Sequence, residues 1–134
     1  MLSSTGRITY LNYLEIKFMW HYCTVHLNNP ISFLFAGGMY GLAAHEERDE
    51  NSNRWMEIAK GITNTCHESY DRTDTKLGPE AFRFTEAVEA RAMKANKRKY
   101  ILRPETIESY FIMWRLTHDQ KYRDWGWEAV QVRS

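Results

Sequence analysis

Two predicted helices near the carboxyl terminus are joined by only two residues, and this junction constrains the fold more than any other feature of the sequence. Pro104 opens the first helix, which extends to Thr117, and proline is well tolerated at a first helical position. His118 and Asp119 separate it from a second predicted helix over 120–133. Because helices joined by so short a link must pack antiparallel, the sequence predicts a helical hairpin.

Apolar side chains elsewhere also recur at helical spacing. We predict a helix over 52–70, where one stripe contains Trp55, Ile58, Ala59, Ile62 and Cys66. In the helix that Pro104 opens, we expect the apolar face to contain Ile107, Tyr110, Phe111 and Trp114. The chain is predicted to be helical from Phe35 onward, with polar loops at 46–53 and 71–78. The predicted fold class is therefore all-α, built of helical hairpins.

Small residues mark a site of close packing upstream of these helices. The segment 36–45 is small and apolar, and Gly37, Gly38 and Gly41 would let another backbone approach closely. No strand is predicted before them and their spacing differs from that of a dinucleotide-binding loop, so helix packing is the favoured interpretation. Residues 1–34 show no sustained period and contain the break Asn28-Asn29-Pro30, which predicts a boundary near Phe35.

Composition limits the class of protein. The 134 residues are 43% hydrophobic, which fits one folded domain of modest size, and the net charge of +1 gives no reason to expect nucleic acid as a partner. The basic run in 91–99 is predicted to be a solvated loop. Charged residues and Pro30 interrupt the longest apolar region, so no transmembrane segment is expected, and no targeting signal is identified in this chain.

A short pattern occurs twice, 25 positions apart. Leu77-Gly78-Pro79-Glu80 is followed by Leu102-Arg103-Pro104-Glu105, and each proline is predicted to open a helix with a glutamate at the next position. A carboxylate in the first turn faces unpaired N–H groups and the positive end of the helix dipole. Glu108 lies three residues after Glu105, on the same side of that helix, and Arg103 lies just before it.

Three interpretations of this pattern remain open from the residues alone. Two helix starts that face one space would bring together paired carboxylates, which glycoside hydrolysis uses as acid and as base or nucleophile. Carboxylates with carbonyls could equally hold a hard cation such as calcium. Pro-Glu is also simply a favourable way to begin a helix.

Several consecutive stretches resemble one enzyme family, the class I α-1,2-mannosidases of glycoside hydrolase family 47, and specifically its Golgi-type branch. They occur in the family's order and near its spacing, from about Phe35 to the carboxyl terminus. The stretches are Phe35-Ala36-Gly37-Gly38-Met39, Thr65-Cys66-His67-Glu68-Ser69-Tyr70, Leu77-Gly78-Pro79-Glu80, Leu102-Arg103-Pro104-Glu105-Thr106-Ile107-Glu108-Ser109, Trp114-Arg115-Leu116-Thr117-His118-Asp119 and Tyr122-Arg123-Asp124-Trp125-Gly126-Trp127-Glu128.

The resemblance implies an (α/α)7 barrel, of which 35–134 would be a partial catalytic domain. Such enzymes remove terminal α-1,2-linked mannose from high-mannose N-glycans in the lumen of the endoplasmic reticulum and Golgi, with calcium and with inversion of the anomeric configuration. By this resemblance Glu105 is the general base and Glu80 the second catalytic carboxylate. Arg103 and Glu108 would contact the sugar or calcium-bound waters.

Departures from the family pattern limit what this chain is expected to do alone. The acid-side carboxylates have no match before Phe35, and the main calcium ligand is expected beyond Ser134, so no metal ligand is assigned in this chain. We therefore expect the chain by itself to be inactive. The alternative hypothesis is a non-catalytic fragment that binds mannose glycans or another partner with the same residues.

The family's disulfide is also affected. Leu34 occupies the position of a family cysteine, so the bridge to Cys66 is expected to be lost unless Cys23 replaces it.

Other candidate sites have simpler interpretations. The cluster His45-Glu46-Glu47-Arg48-Asp49 lacks the second histidine of a zinc-binding helix, which favours a solvated loop. Cys66 and His67 are adjacent on a helix and point about 100° apart, which argues against a thiol nucleophile. Trp114, Trp125 and Trp127 could stack on sugars, but their spacing favours the core.

Overall fold

The described part of the chain is predominantly helical. The computed structural model describes residues 31–47, 50–79, 82–83, 91–92 and 104–131. Its four helices are α1 (Ile31–Glu47), α2 (Ser52–Asp71), α3 (Glu105–Thr117) and α4 (Gln120–Val130). Between α2 and α3, the two-residue strands β1 (Phe82–Arg83) and β2 (Arg91–Ala92) pair antiparallel, with Phe82 opposite Ala92. The prediction of a helical fold class is confirmed, with this short ladder as an addition.

Helix α1 is longer than the sequence predicted and is apolar on most of its surface. It begins directly after Pro30 and continues to Glu47, so residues 46 and 47 belong to the helix rather than to the predicted loop. One face is buried against other helices, whereas Phe35, Met39 and Leu42 are 42%, 46% and 45% exposed. These three lie at positions i, i+4 and i+7, which form a single stripe. A helix that is apolar all round is typical of the interior of a larger domain.

Helix α2 matches its prediction and packs antiparallel to α1. The inner residues of the predicted stripe, Ala59, Ile62 and Cys66, have no solvent exposure. A side chain built at Gly37 would meet Thr63, and one built at Gly41 would lie 3.8 Å from the Ala59 methyl group. The later residue of α1 thus contacts the earlier residue of α2, so the two helices run in opposite directions.

Helices α3 and α4 form the hairpin that the two-residue link predicts. His118 ends α3 in the left-handed conformation, with φ 55°, and its N–H donates to the Trp114 carbonyl oxygen at 2.8 Å. The Asp119 carboxylate caps α4 by accepting from the Lys121 N–H at 3.1 Å. Helix α3 begins at Glu105, one residue later than predicted, because Pro104 occupies the capping position.

The buried face of α3 differs from the predicted one. Phe111 is 61% exposed, and Ile107 and Trp114 are half-buried. Tyr110 is buried as predicted, together with Thr106, Ser109 and Met113, which the prediction did not include. One cause is the surface that α3 packs against: the glycines of α1 let its backbone approach closely, so that the short side chain of Ser109 reaches the α1 backbone.

Helices α1 and α3 run parallel. The Gly38 N–H reaches the Ser109 hydroxyl, and a side chain at Gly41 would meet the Met113 sulfur at 3.0 Å. The later residue of α1 contacts the later residue of α3, so the two helices run in the same direction and begin at the same end of the structure. The described fold is thus two helical hairpins, α1–α2 and α3–α4, whose first helices are parallel neighbours.

The connection after α2 confirms one prediction and corrects two. Residues 72–76 form the predicted polar turn, in which the Thr73 hydroxyl contacts the carbonyl oxygens of Tyr70 and Leu77 at 2.9 Å each. A helix opened by Pro79 is wrong, because Phe82 and Arg83 are extended and pair with β2. For the same reason the loop predicted over 91–99 begins with a strand; Lys94, Lys97, Arg98 and Lys99 lie outside the described residues.

Two glycine substitutions test the close packing of α1. Alanine favours a helix over glycine by about 1 kcal/mol. A side chain at Gly126 of α4 would meet nothing within 4 Å, so we expect Gly126→Ala to raise the free energy of unfolding by about 0.5–1 kcal/mol. A side chain at Gly37 would lie 2.5 Å from the Thr63 hydroxyl oxygen, and we expect Gly37→Ala to lower the free energy of unfolding by about 1–3 kcal/mol.

Urea unfolding followed by circular dichroism measures both changes. Equal stabilisation by the two substitutions would contradict the close approach of α1 and α2.

Candidate active site

Glu105 combines partial burial with an unfilled hydrogen-bonding position. It is the first residue of α3, its side chain is half-buried, and its Oε2 atom is buried. Oε2 has no hydrogen-bond donor within the part of the chain that the structure describes. A buried carboxylate oxygen without a donor is costly, so it marks a position that another group or a water would complete.

The end of the structure where Glu105 lies also carries two helix N-termini. Helices α1 and α3 begin there side by side, and each presents unpaired backbone N–H groups and the positive end of its dipole. The first turn of α1 has no acidic residue, whereas that of α3 has Glu105 and Glu108. The local field at this end therefore suits negative charge on carboxylates and on electron-rich oxygen atoms.

The other predicted site residues fall into two groups. Glu108 is exposed, three residues along α3 from Glu105, so it is accessible from solvent on the same side of the helix. Glu80 and Arg103 lie outside the described residues, and their roles stay predictions.

Two hydroxyl residues beside Glu105 were missed by sequence reasoning. Thr106 is fully buried, and its hydroxyl has no hydrogen-bond partner among the described residues. Ser109 is 1% exposed, accepts a hydrogen bond from the Gly38 N–H at 3.1 Å and donates one to the Leu34 carbonyl oxygen at 2.8 Å. The glycines predicted a close approach, but nothing in the sequence identified α3 as the partner.

An aromatic cluster on α2, α3 and α4 supports this arrangement. The His67 ring stacks on Trp125 with centroids 3.9 Å apart, and its Nδ1 lies 3.4 Å from the Tyr110 hydroxyl. Trp125 also meets the edge of Tyr122, with centroids 5.4 Å apart. Because Tyr110 is on the helix that carries Glu105, this cluster links α3 to both α2 and α4.

Burial sets the protonation of this cluster. It lowers the pKa of His67 below its ordinary value, and the nearby carboxylates of Glu128, Asp71 and Glu68 oppose the shift only in part. Burial also raises the pKa of the Tyr110 hydroxyl, which therefore keeps its proton. The Tyr110 hydroxyl can then donate to Nδ1 of the neutral His67 ring.

Cys66 lies in the core rather than in a reactive position. It carries a free thiol, and burial raises the pKa of that thiol well above its ordinary value, so it is not a nucleophile. Leu34 packs in the same apolar cluster, together with Ala36 and Ile62. Leucine at position 34 and the free thiol of Cys66 thus share one cluster; that Leu34 stands in the place of a bridging cysteine stays a prediction, and Cys23 lies outside the described residues.

The remaining candidates form no metal site among the residues that the structure describes; Arg48 and Asp49 of the acidic cluster lie outside them. His45, Glu46 and Glu47 are exposed on the last turn of α1, and within the described ranges no three His, Cys, Asp or Glu side chains are arranged to hold a metal ion. Of the three tryptophans, most of which were expected in the core, Trp114 and Trp125 are half-buried and Trp127 is 61% exposed. None of the described helices has the length and apolar character needed to cross a bilayer.

Comparisons with known proteins agree with one another. The model of the family "Glycosyl hydrolase family 47" matches residues 12–132. The chain is 56% identical over 128 residues to mannosyl-oligosaccharide alpha-1,2-mannosidase IA of Drosophila melanogaster, a match that covers 96% of this chain and 18% of the fly protein. It is 66% identical over 98 residues to mannosyl-oligosaccharide alpha-1,2-mannosidase IA of Spodoptera frugiperda, covering 73% of this chain and 15% of that protein.

A human protein is similar over much of the same length. The chain is 48% identical over 117 residues to human mannosyl-oligosaccharide 1,2-alpha-mannosidase IB, covering 86% of this chain and 18% of the human protein. The chain therefore spans 15–18% of the length of these three curated relatives.

The lowered pKa of His67 predicts a pH-dependent stability. The unfolded chain takes up a proton at His67 near pH 6.5, whereas the folded chain does so only at lower pH. The stability due to neutral His67 is thus complete above about pH 6.5 and is lost as the pH falls through the folded-state pKa. One titrating group can lower the free energy of unfolding by at most about 1.4 kcal/mol per pH unit. We expect a smaller decrease from His67, because its ring is half-buried and solvent screens its charge.

Urea unfolding between pH 7.5 and 5.5 checks this prediction. His67→Phe keeps an aromatic ring beside Trp125 but cannot titrate, and we expect its stability to fall less over this range than that of the unmodified chain. His45→Phe, which replaces an exposed histidine, is the control and should follow the unmodified chain. Parallel curves for the His67 variant and the unmodified chain would exclude His67 as the source.

Proposed function

This chain belongs to glycosyl hydrolase family 47, and from that membership we propose that it supplies part of a catalytic pocket that hydrolyses terminal α-1,2-linked mannose in high-mannose N-glycans. The proposed enzyme is a mannosyl-oligosaccharide 1,2-α-mannosidase, and its substrate would be glycoproteins in the lumen of the Golgi or endoplasmic reticulum. The support is the family match over 12–132 and relatives that are named as mannosidases of this kind.

The fold that we propose for the complete catalytic domain is an (α/α)7 barrel. Its support is the parallel pair α1 and α3, each followed by an antiparallel helix. Repetition of such hairpins gives an inner ring of parallel helices and an outer ring that runs the opposite way. In this arrangement α1 and α3 belong to the inner ring, and their N-termini lie at the end that carries the pocket.

One observation carries the assignment of the catalytic group: Oε2 of Glu105 is buried and lacks a hydrogen-bond donor among the described residues. A general base needs an oxygen that is free to accept a proton from water and that is held in a defined place. An inverting glycosidase keeps its two carboxyl groups roughly 6.5–9.5 Å apart, which leaves room for that water.

The proposed reaction is a single displacement. Glu105 accepts a proton from water as the water oxygen bonds to the anomeric carbon, and the bond from that carbon to the glycosidic oxygen breaks. A protonated carboxyl group elsewhere in the complete domain donates a proton to the departing oxygen. The configuration at the anomeric carbon is thereby inverted, and the released mannose is initially the β-anomer.

The remaining residues receive supporting roles in this proposal. Glu80 is proposed as a second carboxylate of the pocket. Arg103, next to Pro104, and Glu108, exposed on the first turn of α3, are proposed to contact the sugar or ordered waters.

Calcium dependence is proposed for the complete domain only. Glu105 and Glu108 offer the oxygen ligands that calcium prefers, but the described residues lack a set of three or more acidic or histidine ligands that could hold an ion. The described residues therefore do not fit a calcium site by themselves, and no step above uses the ion.

Exchange of one carboxylate for an amide tests the assignment of Glu105. Residues 31–131 are placed in the fly mannosidase in exchange for the matching segment, and mannose release from a high-mannose N-glycan is measured. We expect the chimera to be active. Glu105→Gln should lower kcat by about 10²–10⁴-fold, because an amide cannot accept the proton, while the thermal unfolding temperature stays nearly the same.

The matched control is Glu57→Gln, the same change at an exposed position on α2. We expect this variant to keep full turnover. Retained turnover in Glu105→Gln would remove Glu105 from the base role. A folded chimera that binds the glycan without cleaving it would favour the alternative, a non-catalytic glycan-binding fragment.

Metal removal tests the calcium proposal in the same chimera. We expect a chelator with high affinity for calcium to abolish mannose release, and added Ca²⁺ to restore it where Mg²⁺ does not. The reason is the larger and more flexible oxygen coordination of calcium. Full activity in the presence of excess chelator would exclude a required calcium ion.

A further inference from the structure

We propose that Ser109 is a positioning residue for Glu105: its hydroxyl fixes the place of α3 on α1 and thereby the place of the Glu105 carboxylate. This inference rests on the proposed role of Glu105 as general base. It concerns a residue that neither binds substrate nor takes part in proton transfer.

The first step is the hydrogen bonding of the hydroxyl. Ser109 accepts from the Gly38 N–H at 3.1 Å and donates to the Leu34 carbonyl oxygen at 2.8 Å, and both hydrogen bonds are buried. Gly38 and Leu34 are four residues apart in α1, so their N–H and C=O are the pair that a regular α-helix joins directly. The Ser109 hydroxyl thus bridges one backbone pair of the neighbouring helix, and both its donor and its acceptor capacity are used.

The second step is the closeness of the two helices at this point. An added Cβ on Gly38 would lie 2.8 Å from Cδ1 of Ile112 and 3.5 Å from both Cα and Oγ of Ser109. The two helices are thus close at this point, and the short serine side chain reaches the α1 backbone. A tether with two defined hydrogen bonds at such a contact restricts both sliding and rotation of α3.

The third step connects this tether to the carboxylate. Glu105 lies four residues before Ser109, about 6 Å along the helix axis and on the same stripe. Met113, four residues after Ser109, packs against Gly41 of α1, so the stripe 105–109–113 faces α1. The position of α3 on α1 therefore sets the backbone position of Glu105, from which its half-buried side chain extends to place Oε2.

The effect of removing the hydroxyl follows from this geometry. In Ser109→Ala, the Gly38 N–H and the Leu34 carbonyl can bond to each other directly, so neither group is left unsatisfied and α1 stays helical. The loss of stability is therefore small. The link between the helices is lost, however, and a displacement near 1 Å at a catalytic group can lower a rate by about 10²-fold.

Steady-state kinetics on the chimera with the fly mannosidase tests the proposal. We expect Ser109→Ala to lower kcat by about tenfold or more, with KM changed by less than about twofold, because the base is misplaced while sugar contacts remain. Ser109→Thr retains a hydroxyl and should recover most of kcat. Ser69→Ala is the matched control: Ser69 is also 1% exposed, but its hydroxyl donates to Cys66 within its own helix at 2.7 Å.

A double variant separates this proposal from the assignment of Glu105. If Ser109 acts through Glu105, then Ser109→Ala should cause no further loss in the Glu105→Gln background. The proposal is overturned if Ser109→Ala keeps the kcat of Ser69→Ala, or if it lowers kcat equally with and without Glu105. A kcat in Glu105→Gln that stays close to that of Glu57→Gln would instead refute the base role, whatever the effect of Ser109→Ala.

Discussion

The close packing of the α1 backbone against α3, which the Ser109 hydroxyl bridges, is the constraint on which the arrangement of the described helices depends. Glycine at positions 37 and 38 removes the side-chain layer that normally separates two helices, and Ser109 uses the space to bond directly to the α1 backbone. The contact sets α1 and α3 parallel and brings their N-termini to one end. The candidate active site lies at that end because Glu105 is the first residue of α3.

Packing on the outer side of this pair completes the arrangement. Helix α2 lies against α1 through Thr63 and Ala59, and the aromatic cluster around Trp125 ties α4 to α3 and α2. The glycines of α1 thus face both α3 and α2, and α4 packs on the pair α2 and α3 through the aromatic cluster. His67 of α2 contacts the Tyr110 hydroxyl of α3 and stacks on Trp125 of α4. Protonation of this one imidazole therefore affects the packing of all three helices.

The sequence predicted the elements that depend on neighbouring residues. It did not predict the features that depend on contacts between distant segments. The period of α2 and the two-residue link after α3 identified both elements, since an apolar stripe and a capping pair are properties of neighbouring residues. The buried face of α3 was predicted only in part: Tyr110 is buried as expected, but the burial of Thr106 and Ser109 depends on how closely α3 approaches its neighbours, which no local pattern contains. Pro79 was expected to open a helix by analogy with Pro104, but Phe82 and Arg83 pair with β2, a contact that no local pattern contains.

The same distinction separates the parts of the site that could be predicted from those that could not. Glu105 was identified because a first-turn carboxylate after proline is a local pattern and because its surroundings resemble a known family. Ser109 has no such signature: its function in packing exists only where a glycine of another helix, 71 positions away, meets it. The exposed stripe of Phe35, Met39 and Leu42 extends this reasoning, since an apolar stripe on a helix marks a surface that packs against another element, and none of the described helices covers it. The unfilled Oε2 of Glu105 and this stripe thus have one property in common: both belong to surfaces that the described residues leave incomplete.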